Sequence, residues 1–206
     1  MRWTCPAFTV RPMSQLSLFG AGKRRLLDDS SGFIEWTPDF LDAATAQSWF
    51  TWLHKHIAWE SGRRLMYERE VNVPRLRAHY RSSDAQMPGP LIDALERVRA
   101  AVGAPFDSIG LNLYRDQHDS VAPHNDTLAD LKRGQPIALL SLGATRRMTI
   151  RAKQAPRRVL QVEMESGGLL LMSWATQLHY DHSIPKQREE VGPRISLAFR
   201  VRGHQP

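Results

Sequence analysis

The stretch Pro193-Arg194-Ile195-Ser196-Leu197-Ala198-Phe199-Arg200-Val201 lies near the end of a 206-residue chain and alternates throughout. On an extended backbone successive side chains point to opposite faces, so Ile195, Leu197, Phe199 and Val201 share one face. Arg194, Ser196, Ala198 and Arg200 share the other. A period of two predicts a strand with its apolar face on a core. The second face is a cationic slot, two arginines with only small residues between them. Six residues at roughly 3.3 Å each put the arginine Cα atoms about 20 Å apart, and long side chains leaning inward reach the two ends of a short dicarboxylate. Guanidinium suits that task because it is planar, permanently charged and able to grip a carboxylate through two parallel hydrogen bonds. A solvated edge strand would carry the same parity.

Upstream of this strand lie five more short β-type runs: Ile109 to Tyr114, Ile137 to Leu142, Met148 to Ile150, Val159 to Met164 and Leu169 to Trp174. Gly, Pro and Asp turns separate them and no helical crossover intervenes, which predicts a sandwich or jelly roll rather than a doubly wound sheet. Two helices precede them. From Asp39 to Glu60 the apolar residues Phe40, Ala43, Ala46, Trp49, Phe50, Leu53 and Ile57 recur at steps of three and four. Pro90, Leu91, Ile92, Leu95, Val98 and Val102 repeat the spacing, with Pro at the start and Gly103 at the end. The expected class is mainly β with flanking helices (α+β). A flexible basic arm is expected over 1–30 and one domain over 31–206.

The single cysteine, Cys5, excludes an internal disulfide and a thiolate cluster, so any metal must be held by His and carboxylate. No run of 18 or so apolar residues exists and the N-terminal segment lacks a secretory pattern, so a cytoplasmic protein, off the membrane and monomeric, is expected. A net charge of +7 attracts polyanions, nucleic acid being the commonest.

His124 and Asp126 form an H-x-D pair just after the Ile109 to Tyr114 run, and residues two apart on an extended backbone face the same way. Two His and one carboxylate on one face of an octahedron make the ligand set of non-haem Fe(II) oxygenases. His182 supplies a third ligand, 56 residues on (182 minus 126), within Leu178-His179-Tyr180-Asp181-His182-Ser183-Ile184-Pro185. His179 is its rival. Asn112 and Tyr114 share one face of their strand, and buried there they need partners, either a bound ligand or a structural network.

As an ordered set, Asn112-x-Tyr114, His124-x-Asp126, Pro136-Ile137 leading to Ser141-Leu142-Gly143, Gly168 to Met172, His182-Ser183-Ile184-Pro185 and Arg194 through Arg200 resemble the AlkB family of dioxygenases. The resemblance covers roughly residues 30 to 202. It implies a double-stranded β-helix (jelly roll) core with N-terminal helices packed outside. It assigns His124, Asp126 and His182 to catalytic iron, the Ser-Ile-Pro after His182 deciding against His179. Asn112, Tyr114, Arg194 and Arg200 fall to 2-oxoglutarate, with Arg194 toward its distal carboxylate and Arg200 nearer the chelating end. With Fe(II), 2-oxoglutarate and O2, the implied reaction is oxidative demethylation of N-alkylated bases in single-stranded or flipped-out DNA or RNA, a direct alkylation repair that releases succinate, CO2 and formaldehyde.

The same resemblance places substrate recognition before the core, at Tyr67 to Arg81. There Val73-Pro74-Arg75 and His79-Tyr80 would meet a base, and Arg63, Arg64, Arg69, Arg75, Arg77 and Arg81 would track phosphates. Repair members carry an acid two positions after the metal Asp, but here that position is Leu128, and Ser82 to Pro90 is short where they carry a longer aromatic loop. This leaves protein, lipid or small-molecule substrates as the alternative. In the arm, Gln15-Leu16-Ser17-Leu18-Phe19 resembles the short motif by which bacterial repair and replication proteins bind the sliding clamp.

Overall fold

The computed structural model describes residues 22–66 and 69–203, without the side chains of residues 63–72. The side chains of Arg63, Arg64 and Arg69 are therefore not described, and Tyr67 and the peptide Gln15 to Phe19 lie outside the described residues. The chain opens with strands β1 (Arg24–Asp29) and β2 (Gly32–Thr37), then helix α1 (Ala43–His56), strands β3 (Glu60–Met66) and β4 (Arg69–Arg81), and helix α2 (Gly89–Val102). Strands β5 (Ser108–Tyr114), β6 (Val121–His124), β7 (Ile137–Gly143), β8 (Arg146–Ala152), β9 (Val159–Met164) and β10 (Leu169–Met172) follow. A short helix α3 (Thr176–His179) leads into β11 (Tyr180–Ile184), and β12 (Arg194–Arg200) closes the sheet.

Eight strands form one sheet in the order β1-β2-β10-β7-β12-β5-β4-β3, and β6-β11-β8-β9 form a second. β12 is central, paired antiparallel with β5 on one side and β7 on the other, so it is no edge strand. Its two faces serve two cores. Ile195, Leu197 and Phe199 join Trp49, Leu53, Leu91 and Leu95 of the helices in an outer core. Ala198 joins Ile137, Leu139, Met148, Ile150 and Tyr180 between the two sheets. The layers are helices, large sheet, small sheet, and the expected jelly roll is what forms.

Both helices form where apolar spacing and caps agree. The Asp42 carboxylate accepts from the Thr45 amide at 2.8 Å and turns the chain into α1, four residues later than the apolar period suggests. Ile57 ends α1 in extended conformation but stays buried. α2 begins with Pro in its first turn and stops at Gly103, whose φ of 72° is a left-handed cap that a side chain would strain.

Two expectations change. The domain begins before residue 31, because Arg24–Asp29 pairs with β2 and the Lys23 and Arg25 side chains bind the buried Glu35 carboxylate. The segment expected to be recognition loops is the β3–β4 hairpin, which extends the large sheet at its edge.

Candidate metal centre and adjoining cavities

His124 ends β6 and His182 sits in β11, directly opposite each other in the register of the small sheet, with ring centroids 4.4 Å apart. Asp126 follows two residues after His124 and points to the same spot. One ligand atom from each of the three lies within 4.8 Å of the others. His182 is 6% exposed. The Nδ1 of His124 lies 2.9 Å from the Ala122 carbonyl, which can only accept, so Nδ1 carries the proton and Nε2 keeps a free lone pair. Burial, with His124 beside it, pushes His182 from 6.5 to about 3, so its imidazole is neutral and ready to ligate. Burial would raise the Asp126 carboxyl, but the Arg200 guanidinium and then the two histidines hold it below its ordinary value. Two imidazoles and one carboxylate fit ferrous iron.

His179 goes elsewhere. It ends α3, is exposed, and lines a separate cavity with Leu178, Tyr180 and Pro156.

The loop from β5 to β6 is pinned so that His124 faces His182. Asp119 takes two guanidinium bonds and one amide bond from Arg115, all at 2.8–2.9 Å. The fully buried Arg146 of β8 donates to the carbonyls of Asp116, Asp119 and Pro185, clamping the loop to the exit of β11. Neither pair was foreseen from the sequence.

Behind the triad, toward the sheet interior, an inner cavity is bounded by Asn112, Tyr114, His124, His182, Arg194 and Arg200. Arg194 is wholly buried, directly across from Tyr114 in the β12–β5 register, and its guanidinium stands 5.3 Å from that ring. Its Nε donates to Ser141 Oγ at 2.9 Å, while Nη1 and Nη2 have no hydrogen bond among the described residues. Buried guanidinium donors without acceptors are costly, and a carboxylate offers what two parallel N–H groups lack. The residues present therefore fit 2-oxoglutarate as well as iron.

Arg200 differs from expectation. Its Nε and Nη2 each donate at 2.8 Å to the two oxygens of Asp126, a bidentate pair that leaves little of the guanidinium for another carboxylate. Gly110, on the same side of β5, makes room for it: a Cβ there would lie 3.0 Å from Arg200 Nη1. Asn112 is also engaged, its Oδ1 accepting from Arg75 Nε at 2.8 Å.

In front of the triad an outer cavity of about 490 Å³ is lined by Arg75, Arg77, His79, Asp126, Asp130 and Arg202 among others. Arg75 reaches both cavities and is committed to Asn112, so it does not track phosphates from a loop. Tyr80 packs toward the helices, away from the cavity, while His79 faces it. Leu128 opens a 3-10 turn, Leu128–Asp130, that brings Asp130 rather than Leu128 to the cavity wall.

Residues 33–200 match the family model described as the 2OG-Fe(II) oxygenase superfamily. DNA oxidative demethylase ALKBH2 of Homo sapiens is 32% identical over 181 residues, 76% of this chain and 69% of that protein. Alpha-ketoglutarate-dependent dioxygenase alkB homolog 3 of Bos taurus is 32% identical over 183 residues, 80% of this chain; the chain spans 64% of that relative's length. Among solved structures, a Pseudomonas putida prolyl-4-hydroxylase superposes with a TM-score of 0.56 at 14% identity, covering 82% of this chain and 93% of that one. A Trichoplax adhaerens prolyl hydroxylase bound to a peptide fragment of hypoxia inducible factor gives 0.61 at 12% identity, covering 83% and 84%. These two show the shared fold. Matched over most of its length, the chain belongs to the 2OG-Fe(II) oxygenase superfamily as an AlkB-like member, and its two imidazoles, carboxylate and buried arginine fit Fe(II) and 2-oxoglutarate.

Proposed function

We propose that this protein oxidatively removes N-alkyl groups from bases in DNA or RNA. The observation that carries the proposal is the outer cavity: it opens on His124 and Asp126 and is rimmed by Arg75, Arg77, Arg200, Arg202 and His79. Such a rim favours a polyanionic strand, and the pocket suits a base taken out of its stack. The relatives, a DNA oxidative demethylase among them, point the same way.

In this reading His124, Asp126 and His182 hold the iron. Arg194 takes the distal carboxylate of 2-oxoglutarate, with Tyr114 and Asn112 lining its path. Arg200 acts chiefly by fixing the Asp126 carboxylate beside the chelating end. The bound cofactors supply oxidation of a methyl C–H, 2-oxoglutarate leaving as succinate and CO2 and the hydroxymethyl group as formaldehyde. The protein's own share is position and exclusion of water. Leu128 cannot read a base by hydrogen bond. Among the described residues, Asp130 and Glu60 are the acids of the outer cavity other than Asp126, and Asp130, held loosely by Arg202 at 3.7 Å, is the nearer in sequence to the metal residues.

With Fe(II), ascorbate and 2-oxoglutarate, formaldehyde is expected only when methylated single-stranded DNA or RNA is present. Succinate formed at the same rate without nucleic acid would move the substrate to a protein, lipid or small molecule, the reading that Leu128 favours.

The clamp peptide forms a second part of the proposal. Gln15, Leu16, Ser17, Leu18 and Phe19 would dock two apolar anchors on a bacterial sliding clamp. Purified clamp should retain the full chain on a column and lose it on combined Leu18→Ala and Phe19→Ala; retention unchanged by that pair would sink the idea. Among the described residues no helix is long and apolar enough to cross a membrane.

A further inference from the structure

Asp126 sits in a poor place for a residue that must hold a fixed geometry. β6 ends at His124, so the backbone at Asp126 has no strand ladder to hold it. Side chains do so instead. The Asp126 amide donates to Gln177 Oε1 at 3.0 Å, and the Asp126 carbonyl accepts from Asn125 Nδ2 at 2.9 Å. An amide N–H can only donate, so the orientation of the Gln177 carboxamide is settled by its partner. Gln177 is 1% exposed, and it lies in α3, just ahead of the strand that carries His182.

The Asn125 side chain and the Gln177 backbone converge on Lys153. Its ammonium donates to Asn125 Oδ1 at 2.9 Å and to the Gln177 carbonyl at 2.8 Å, and its own amide donates to the His179 carbonyl. The segment that bears His124 and Asp126 and the segment that bears His182 are thereby tied through one lysine just past β8. The Asp126 carboxylate is meanwhile held by Arg200 from the opposite side.

We propose that Gln177 is a positioning residue for Asp126, keyed in place by Lys153 and Asn125, and that it sets metal affinity by fixing the Asp126 backbone. This rests on Asp126 being a metal ligand, as proposed above. Without the Oε1 acceptor the buried Asp126 amide loses its partner, and the peptide can rotate to find another. The carboxylate then follows Arg200 rather than the two imidazoles. Partners of this kind behind a metal ligand are worth about tenfold to a hundredfold in metal affinity.

Co(II) alone is the probe, titrated into the full chain and followed by calorimetry and by its visible absorption, with thermal melting of the metal-free protein alongside. Gln177→Leu keeps the bulk and removes the acceptor; Co(II) affinity should fall about tenfold or more. Gln177→Glu keeps an acceptor facing the Asp126 amide and should recover affinity to within a few-fold of wild type. Equal Co(II) affinity in wild type and Gln177→Leu overturns the proposal. So does a Glu variant that restores the melting temperature of the Leu variant but not its Co(II) affinity, because Gln177 would then be structural only. A wild-type chain that binds no Co(II), indistinguishable from Asp126→Ala, would instead refute the ligand assignment and take this inference with it.

Discussion

His182→Ala should abolish turnover and Co(II) or Fe(II) binding together, whereas His179→Ala should keep both within a few-fold of wild type. The reason is placement. His182 stands against His124 at 4.4 Å between ring centroids, while His179, three residues earlier, is exposed and lines a different cavity. Losing one of three ligands should exceed the roughly hundredfold cost of losing a ligand's hydrogen-bond partner. The pH dependence of folding gives a second readout on the metal-free protein. In the unfolded chain this histidine takes up a proton near 6.5, but in the folded chain only near 3. The unfolded state therefore binds the extra proton, and stability present above 6.5 is lost as pH falls toward 3, at a limiting slope of about 1.4 kcal/mol per pH unit. Asp126, held below 3.8, adds loss of the same sign only at lower pH. His182→Ala should flatten the upper window and His179→Ala should not. An unchanged slope in His182→Ala, or loss of metal in His179→Ala, would reverse the choice of ligand.

The grouping of His182 with His124 and Asp126 was legible because three local patterns converge: H-x-D, a His followed by Ser-Ile-Pro, and a strand with two same-face arginines. β12 was readable since both of its faces are buried but differ in chemistry, so the alternation survived. The helices were readable from period and caps. β1 and β2 were not, because Glu35 is turned inward and balanced by Lys23 and Arg25, which breaks the alternation that a strand would display. In β4 the signal was present and passed over: Leu76, Ala78 and Tyr80 pack toward the helices while Arg75, Arg77 and His79 face the cavity. The dense arginines disguised a strand as a basic loop. Arg75 to Asn112, Gln177 to Asp126 and Arg200 to Asp126 are bonds across 37, 51 and 74 residues, and no local period encodes them. They arise from register, which is fixed only once the sheets exist.

Register also buries a cation with two unpartnered nitrogens, and the second large effect follows from it. Arg194→Met should abolish stabilisation by 2-oxoglutarate and all turnover, yet leave the cofactor-free protein as stable as wild type or more so. The Arg194 guanidinium is buried among Tyr114, Ser141 and the sheet interior, without a carboxylate among its hydrogen-bond partners. Burial pushes it down from its ordinary value to about 10. For a cation the sign is clear: the unfolded chain holds this proton more tightly, so stability rises as pH climbs above about 10. Below 10 the proton is on in both states and the cost is constant. Neutral-pH titration is therefore blind to it, and ligand is the better probe. Removing an uncompensated buried charge for a side chain of similar length is often neutral or stabilising, and Met packs well against the Tyr114 ring. Ser141 loses the Arg194 Nε donor but keeps its own bond to the Met164 carbonyl at 2.9 Å. In wild type, 2-oxoglutarate at a hundred times its Kd should add about 2.7 kcal/mol, visible as a rise in melting temperature. In Arg194→Met that rise should vanish. A variant that still gains stability from 2-oxoglutarate would place the distal carboxylate elsewhere. One that melts several degrees lower without it would mean that Arg194 is a structural pin rather than a charge held ready for its ligand.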